Sequence, residues 1–160
     1  MDGFDDPRLT AFGLLTEVYS GVSEHLHATY AEEGLSEVDF GTLIRLARSP
    51  GQSLRMGDLA AQTSLSTSGI TRVVDRLERE GLVERHACAS DRRASYAVLS
   101  EAGKERLERL LPQHVKDIET YFTGLLTPDR LEEFLNTLRI IRGVVRPCAT
   151  AGADEVAQLG

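Results

Sequence analysis

The chain has 160 residues, 41% of them hydrophobic, which suits roughly one domain with a real core and excludes the disordered class. No run approaches the roughly 18 apolar residues of a membrane span, and the start MDGFDDPR lacks the basic and apolar regions of a signal peptide, so a soluble cytoplasmic protein is expected. A net charge of −7 argues against a nucleic-acid partner until it is mapped: residues 1–40 hold one basic and nine acidic side chains, 41–93 nine and six, 94–160 eight and ten, so the middle alone is basic.

Phe12, Leu15, Tyr19, Val22, Leu26 and Tyr30 recur at steps of three and four, which predicts one long helix over residues 8–31 that Gly34 breaks. Ser36 is placed to cap a second helix with Phe40, Leu43, Ile44 and Ala47 inward, and Ser49-Pro50-Gly51 ends it in a turn. A short third helix, about Met56 to Thr63, turns Leu59 and Ala60 inward and stops at Ser64-Leu65. Ser66 then caps a fourth helix whose Ile70, Val73, Val74 and Leu77 pack, with Gly81 at its stop. Its free face carries Ser68, Thr71, Arg72 and Asp75, hydroxyls and a guanidinium suited to phosphates and base edges. Gly69 beside them has two readings, a close approach to DNA or simple tolerance of glycine near a helix start.

After Gly81 the pattern alternates. Leu82, Glu84, His86 and Cys88 fall on one side of a strand and Val83, Arg85 and Ala87 on the other, Ala94 to Leu99 returns as its partner, and Ala89 to Arg93 forms the tip. Ser100 caps a long helix with Leu107, Leu110, Leu111, Val115, Ile118 and Phe122 inward, and Pro112 is expected to kink or break it. Thr127-Pro128 opens a last helix with Leu131, Phe134, Leu135, Leu138, Ile141 and Val145 on one side; Pro147 stops it, and Cys148 to Gly160 is small and polar enough for a disordered tail. Three long amphipathic helices carry more apolar surface than so small a centre covers. A two-fold dimer is therefore expected, matched to a palindromic duplex.

The order of elements, the run Leu65, Ser66, Ser68, Ile70, Thr71, Arg72, Val74, Arg76, Leu77, Glu78, Gly81, Leu82, Val83, Arg85, and the later Asp91-Arg92-Arg93 and Leu99-Ser100-Glu101-Ala102-Gly103 resemble MarR-type transcriptional regulators over roughly residues 8–146. The resemblance implies a mainly α (α+β) fold: one domain over residues 1–146, with dimerisation helices at 8–35 and 101–146 around a winged helix-turn-helix lobe at 37–100. It implies a homodimer, usually a repressor, that leaves its operator when a ligand or oxidant acts between the two lobes. It places Ser66, Ser68, Thr71 and Arg72 at the major groove and counts Arg76 among the DNA-contacting residues. At the wing it makes Arg93 the minor-groove side chain and Asp91 the carboxylate that orients it, while Arg92 suits a phosphate.

The signal is less legible. Cys88 and Cys148 are far apart with no CxxC spacing, so neither a disulfide framework nor a zinc ribbon is expected. His25 and His27 lie two apart and face different directions, and His114, which could approach Asp39 or Glu37, lacks enough companions for zinc, so no metal or cofactor is expected. Cys88 shares a strand face with His86, which leaves a redox-responsive regulator as an alternative, and a metal-responsive regulator of the same fold is the other. A small organic effector is the leading expectation, with Phe12, Tyr19, Tyr30 and Phe40 as candidate lining residues that equally suit plain core. A winged helix that binds only protein is a further alternative; no catalytic motif supports an enzyme.

Overall fold

The computed structural model describes residues 3–87 and 95–151. The expected wing tip, with Asp91, Arg92 and Arg93, lies outside the described residues, as do Cys88 and residues 152–160. Six α-helices and a three-stranded antiparallel sheet follow in the order α1 (Pro7–Glu32), α2 (Glu37–Ala47), β1 (Ser53–Arg55), α3 (Met56–Thr63), α4 (Thr67–Arg79), β2 (Val83–Ala87), β3 (Ser95–Leu99), α5 (Glu101–Tyr121) and α6 (Pro128–Val145). The sheet order is β1-β3-β2, with Leu54 opposite Ala97 and Arg85 opposite Ala97 from the other side. Among the described residues, no helix is long and apolar enough to cross a membrane.

Local chemistry explains most boundaries. Ser36 Oγ accepts from the Asp39 amide while Asp39 Oδ2 accepts from the Ser36 amide at 3.0 Å, a reciprocal capping box. Ser66 and Ser100 cap α4 and α5 through the amides of Gly69 and Gly103. Gly81 ends α4 with φ +72°, a conformation that disfavours any side chain. Gly103 is required for a different reason: a Cβ there would stand 2.2 Å from the Leu82 carbonyl oxygen, so only glycine lets the first turn of α5 lie against the chain leaving α4.

The core joins α2, α3, α4, the sheet and the first half of α5. Leu43, Leu46, Leu59, Ile70, Val74, Leu77 and Ala97 are fully buried, with Leu107 and Leu110 from α5 nearly so. At about 25 cal/mol per Å² these side chains supply the main stabilising term of the lobe. The end of α1 closes it: Tyr30 stacks on Phe40 at 4.6 Å between ring centres, and Thr29 Oγ1 donates to Asp117 on α5 at 2.6 Å.

Four expectations need correction. β1 was not anticipated, because three residues are too short to show an alternating pattern. Pro112 does not break α5, which runs from Glu101 to Tyr121; the ring is exposed and the Glu108 carbonyl that it deprives of an amide partner belongs to an exposed residue, within reach of solvent. Val115, expected inward, is exposed, and His114 takes the buried position one turn after Leu110. The chain beyond α6 begins as structure rather than as a disordered tail: Pro147–Thr150 forms a 3-10 turn, Ala149 is buried, Arg45 Nη1 donates to its carbonyl at 3.0 Å, and Gln62 donates to the Ala151 carbonyl.

The outer helices behave differently from the lobe. No residue of α6 is buried, and Phe12 (69%), Tyr19 (64%), Ile140 (73%) and Val144 (80%) remain exposed in the single chain.

Candidate nucleic-acid interface

The helix-turn-helix is α3, the turn at Ser64 and Leu65, and α4. Ser64 closes α3 with φ +60°, and the Leu65 amide donates back to the Ala60 carbonyl at 3.1 Å. This tight reversal leaves the N-terminus of α4 exposed while Ile70, Val73, Val74 and Leu77 anchor its other side. The first turn therefore presents Ser66 and Ser68, whose hydroxyls lie 3.1 Å apart, followed by Thr71, which donates to the Thr67 carbonyl. Arg72 is exposed and makes no side-chain hydrogen bond among the described residues. A long exposed cation at this position can reach a phosphate or a base edge.

Gly69 sits beneath this turn. A Cβ at that position would come within 3.2 Å of Ser66 Oγ and 3.5 Å of Leu65 Cβ, so its local role is room for the cap.

Arg76 is engaged elsewhere. Its Nε donates to Asp39 Oδ1 at 3.1 Å and its Nη2 pairs with the same oxygen, and Asp39 is only 5% exposed. This pair ties the back of α4 to the cap of α2, so Arg76 sets the angle of the helix whose front carries Arg72. Sequence reading missed the partner, since 37 positions separate the two residues.

Two further arginines hold the wing strands in place, one against α4 and one across the sheet, and neither was singled out for this role. Arg85 on β2 pairs with Asp75 on α4 at 2.6 Å and donates to the Thr71 carbonyl at 3.2 Å. Arg55, at the end of β1, donates through Nε to the Tyr96 hydroxyl at 3.0 Å, with its guanidinium carbon 5.7 Å from that ring's centre. β2 is thus held against α4, and β3 against β1, whose Arg55 stands at the start of α3.

The four aromatic candidates for an effector site do not come together. Tyr30 and Phe40 lie in the core against His114, whereas Phe12 is exposed on α1 and the Tyr19 hydroxyl donates to Glu37 at 2.9 Å. Burial raises the Tyr30 pKa to about 12, with the Glu37 charge adding to it. Burial lowers the His114 pKa, Asp117 opposing in part, and its buried Nδ1 has no hydrogen-bond partner among the described residues. The Glu37 pKa is lowered chiefly by its hydrogen bond with His27, whose Nε2 lies 3.0 Å away.

A separate cleft of about 710 Å³ opens between α1, the end of α5 and α6, lined by Val18, Val22, His25, Tyr121, Phe122 and Phe134 among others. His25 and Tyr121 stack in parallel at its wall, 3.8 Å between ring centres. Among the described residues, no group of three His, Cys, Asp or Glu side chains is placed to hold a metal ion.

Comparison with known proteins agrees with this geometry. The family model described as MarR family matches residues 33–94, the stretch from the end of α1 to the wing. The Bacillus subtilis (strain 168) HTH-type transcriptional regulator MhqR is 31% identical over 121 residues, 75% of this chain and 81% of that protein. Two Streptomyces coelicolor structures superpose closely. AbsC, a MarR family transcriptional regulator, is 34% identical with a TM-score of 0.82, covering 89% of this chain and 96% of AbsC. Sco3205, a MarR family regulator solved in complex with DNA, is 31% identical with a TM-score of 0.80, covering 87% and 88%. With identity of this order over most of both chains and the same winged helix carrying the matched segment, the chain belongs to the MarR family of transcriptional regulators.

Proposed function

We propose that this chain binds double-stranded DNA as a homodimer and acts in the cytoplasm as a ligand-responsive repressor. The observation that carries DNA binding is the exposed start of α4, with Ser66, Ser68, Thr71 and an exposed Arg72 that makes no side-chain hydrogen bond among the described residues, on a scaffold that superposes on a regulator solved with DNA. In this reading α4 enters the major groove. Arg93, oriented by Asp91, enters the minor groove, and Arg92 meets a phosphate.

The exposed apolar faces of α1 and α6 support the dimer, because a monomer would leave Phe12, Val18, Ile140 and Val144 in water. Two copies of α4 related by a two-fold axis then match a palindromic operator. The apolar cleft between α1, α5 and α6 supports a small organic effector, its volume and lining being those of a drug-sized ligand site.

Selection of bound duplexes from random DNA tests this reading. Enrichment of an inverted repeat with half-sites about one helical turn apart is expected; recovery of no common sequence would refute it.

A further inference from the structure

Two arginines finish α2 and two finish α6, and the ends of the two helices meet through Arg45 and Arg146. Arg45 lies in the last turn of α2 and Arg48 caps it; Arg142 lies in the last turn of α6 and Arg146 caps it. The two ends are brought together by hydrogen bonds: Arg45 Nη1 donates to the Ala149 carbonyl at 3.0 Å, and the Ala149 amide donates to the Arg146 carbonyl at 3.0 Å. Arg146 Nη2 donates in turn to the carbonyls of Ala61 and Gln62 in the last turn of α3, at 3.2 and 3.3 Å.

Neutralising helix C-termini is the plain structural role for such arginines. Each helix end carries roughly half a negative charge, so three ends offset only about 1.5 of the four positive charges. Arg45 and Arg146 spend their hydrogen bonds on carbonyls. Arg48 and Arg142 are exposed and make no side-chain hydrogen bond or ion pair among the described residues, and no described carboxylate pairs with any of the four. The half-buried Arg45 responds to this crowding: burial first, then the charges of Arg146, Arg48 and Arg142, lowers its pKa. An excess of roughly 2.5 positive charges remains, with two guanidinium groups still able to donate.

We propose that Arg45, Arg48, Arg142 and Arg146 form a phosphate-binding site where α6 meets the helix-turn-helix. Arg48 and Arg142 contact the ligand; Arg45 and Arg146 hold the frame and supply field. Binding there neutralises the junction and fastens α6 to α3. Phosphate can come from a small phosphorylated molecule or from a DNA backbone.

Inorganic phosphate is the probe, added at constant ionic strength against chloride. At twentyfold its dissociation constant it should raise the melting temperature of the full chain by about 4 °C or more. The exposed double variant Arg48→Gln/Arg142→Gln should fold normally and lose that rise. No rise in the full chain, or an equal rise in the double variant, would overturn the site. The source is read separately from the salt dependence of duplex binding. Loss of two backbone contacts in the double variant lowers the slope by about 1.8 per copy engaged and assigns the phosphate to DNA; an unchanged slope assigns it to a small molecule.

Discussion

Replacing Asp39 by alanine should weaken both the fold and the angle at which α4 is presented. The carboxylate is 5% exposed and serves two structures at once, accepting from the Ser36 amide at 3.0 Å and hydroxyl at 2.6 Å and from Arg76 on α4. Loss of the capping box costs about 1 kcal/mol. Loss of a charge-assisted pair to a buried carboxylate costs about 2 kcal/mol more, less than for a fully buried pair, since the Arg76 side chain is 42% exposed and reaches water when released. The sum of about 3 kcal/mol corresponds to a drop of about 6–12 °C in melting temperature for a chain of this size. Thermal unfolding at fixed protein concentration measures it, because the proposed dimer's stability would depend on concentration. A double-mutant cycle with Arg76→Ala should return a coupling of about 2 kcal/mol. An Asp39→Ala protein within about 0.5 kcal/mol of wild type, or a cycle with no coupling, would refute the reasoning.

Three further outcomes are expected. Gly103→Ala should destabilise by at least about 2 kcal/mol, read as a lower denaturant midpoint, because its Cβ would meet the Leu82 carbonyl oxygen and Leu99 Cδ1; an unchanged midpoint would contradict that contact. His114 stays neutral in the folded state below the pH at which it protonates when unfolded, so its contribution is complete above about pH 6.5 and is lost as pH falls toward the lowered native value. His114→Phe should therefore flatten the acid side of the stability profile, and an unaltered profile would exclude this group as its cause. Arg72→Ala should leave folding unchanged and cost about 1–3 kcal/mol of duplex affinity. A uniform loss across operator variants would indicate a phosphate contact, and a loss confined to one base position would indicate base readout.

The elements were legible where their information is local. Ser36, Ser66 and Ser100 announce helix starts, Gly81 announces a stop, and the change from helical to alternating spacing after it marks the wing. What escaped depends on residues distant in sequence. The Arg76–Asp39 pair, the clasp of Arg85 on Asp75 and the return of Ala149 to Arg45 leave no periodic trace. β1 escaped for another reason: its pairing with β3, not its own three residues, makes it a strand. His114 shows a third limit, because a polar residue at an inward helical position reads as a break in the apolar stripe until Tyr30 and Phe40 are seen around it.

The proposed function requires α4 and the wing to grip duplex DNA. The most direct test is the affinity of the wild-type chain for its selected duplex across salt concentrations. Arg72, Arg92 and Arg93 from each of two copies would displace about six counterions, giving a slope of log affinity against log salt near −5. A flat dependence, or binding no tighter to the selected duplex than to any other, would contradict it.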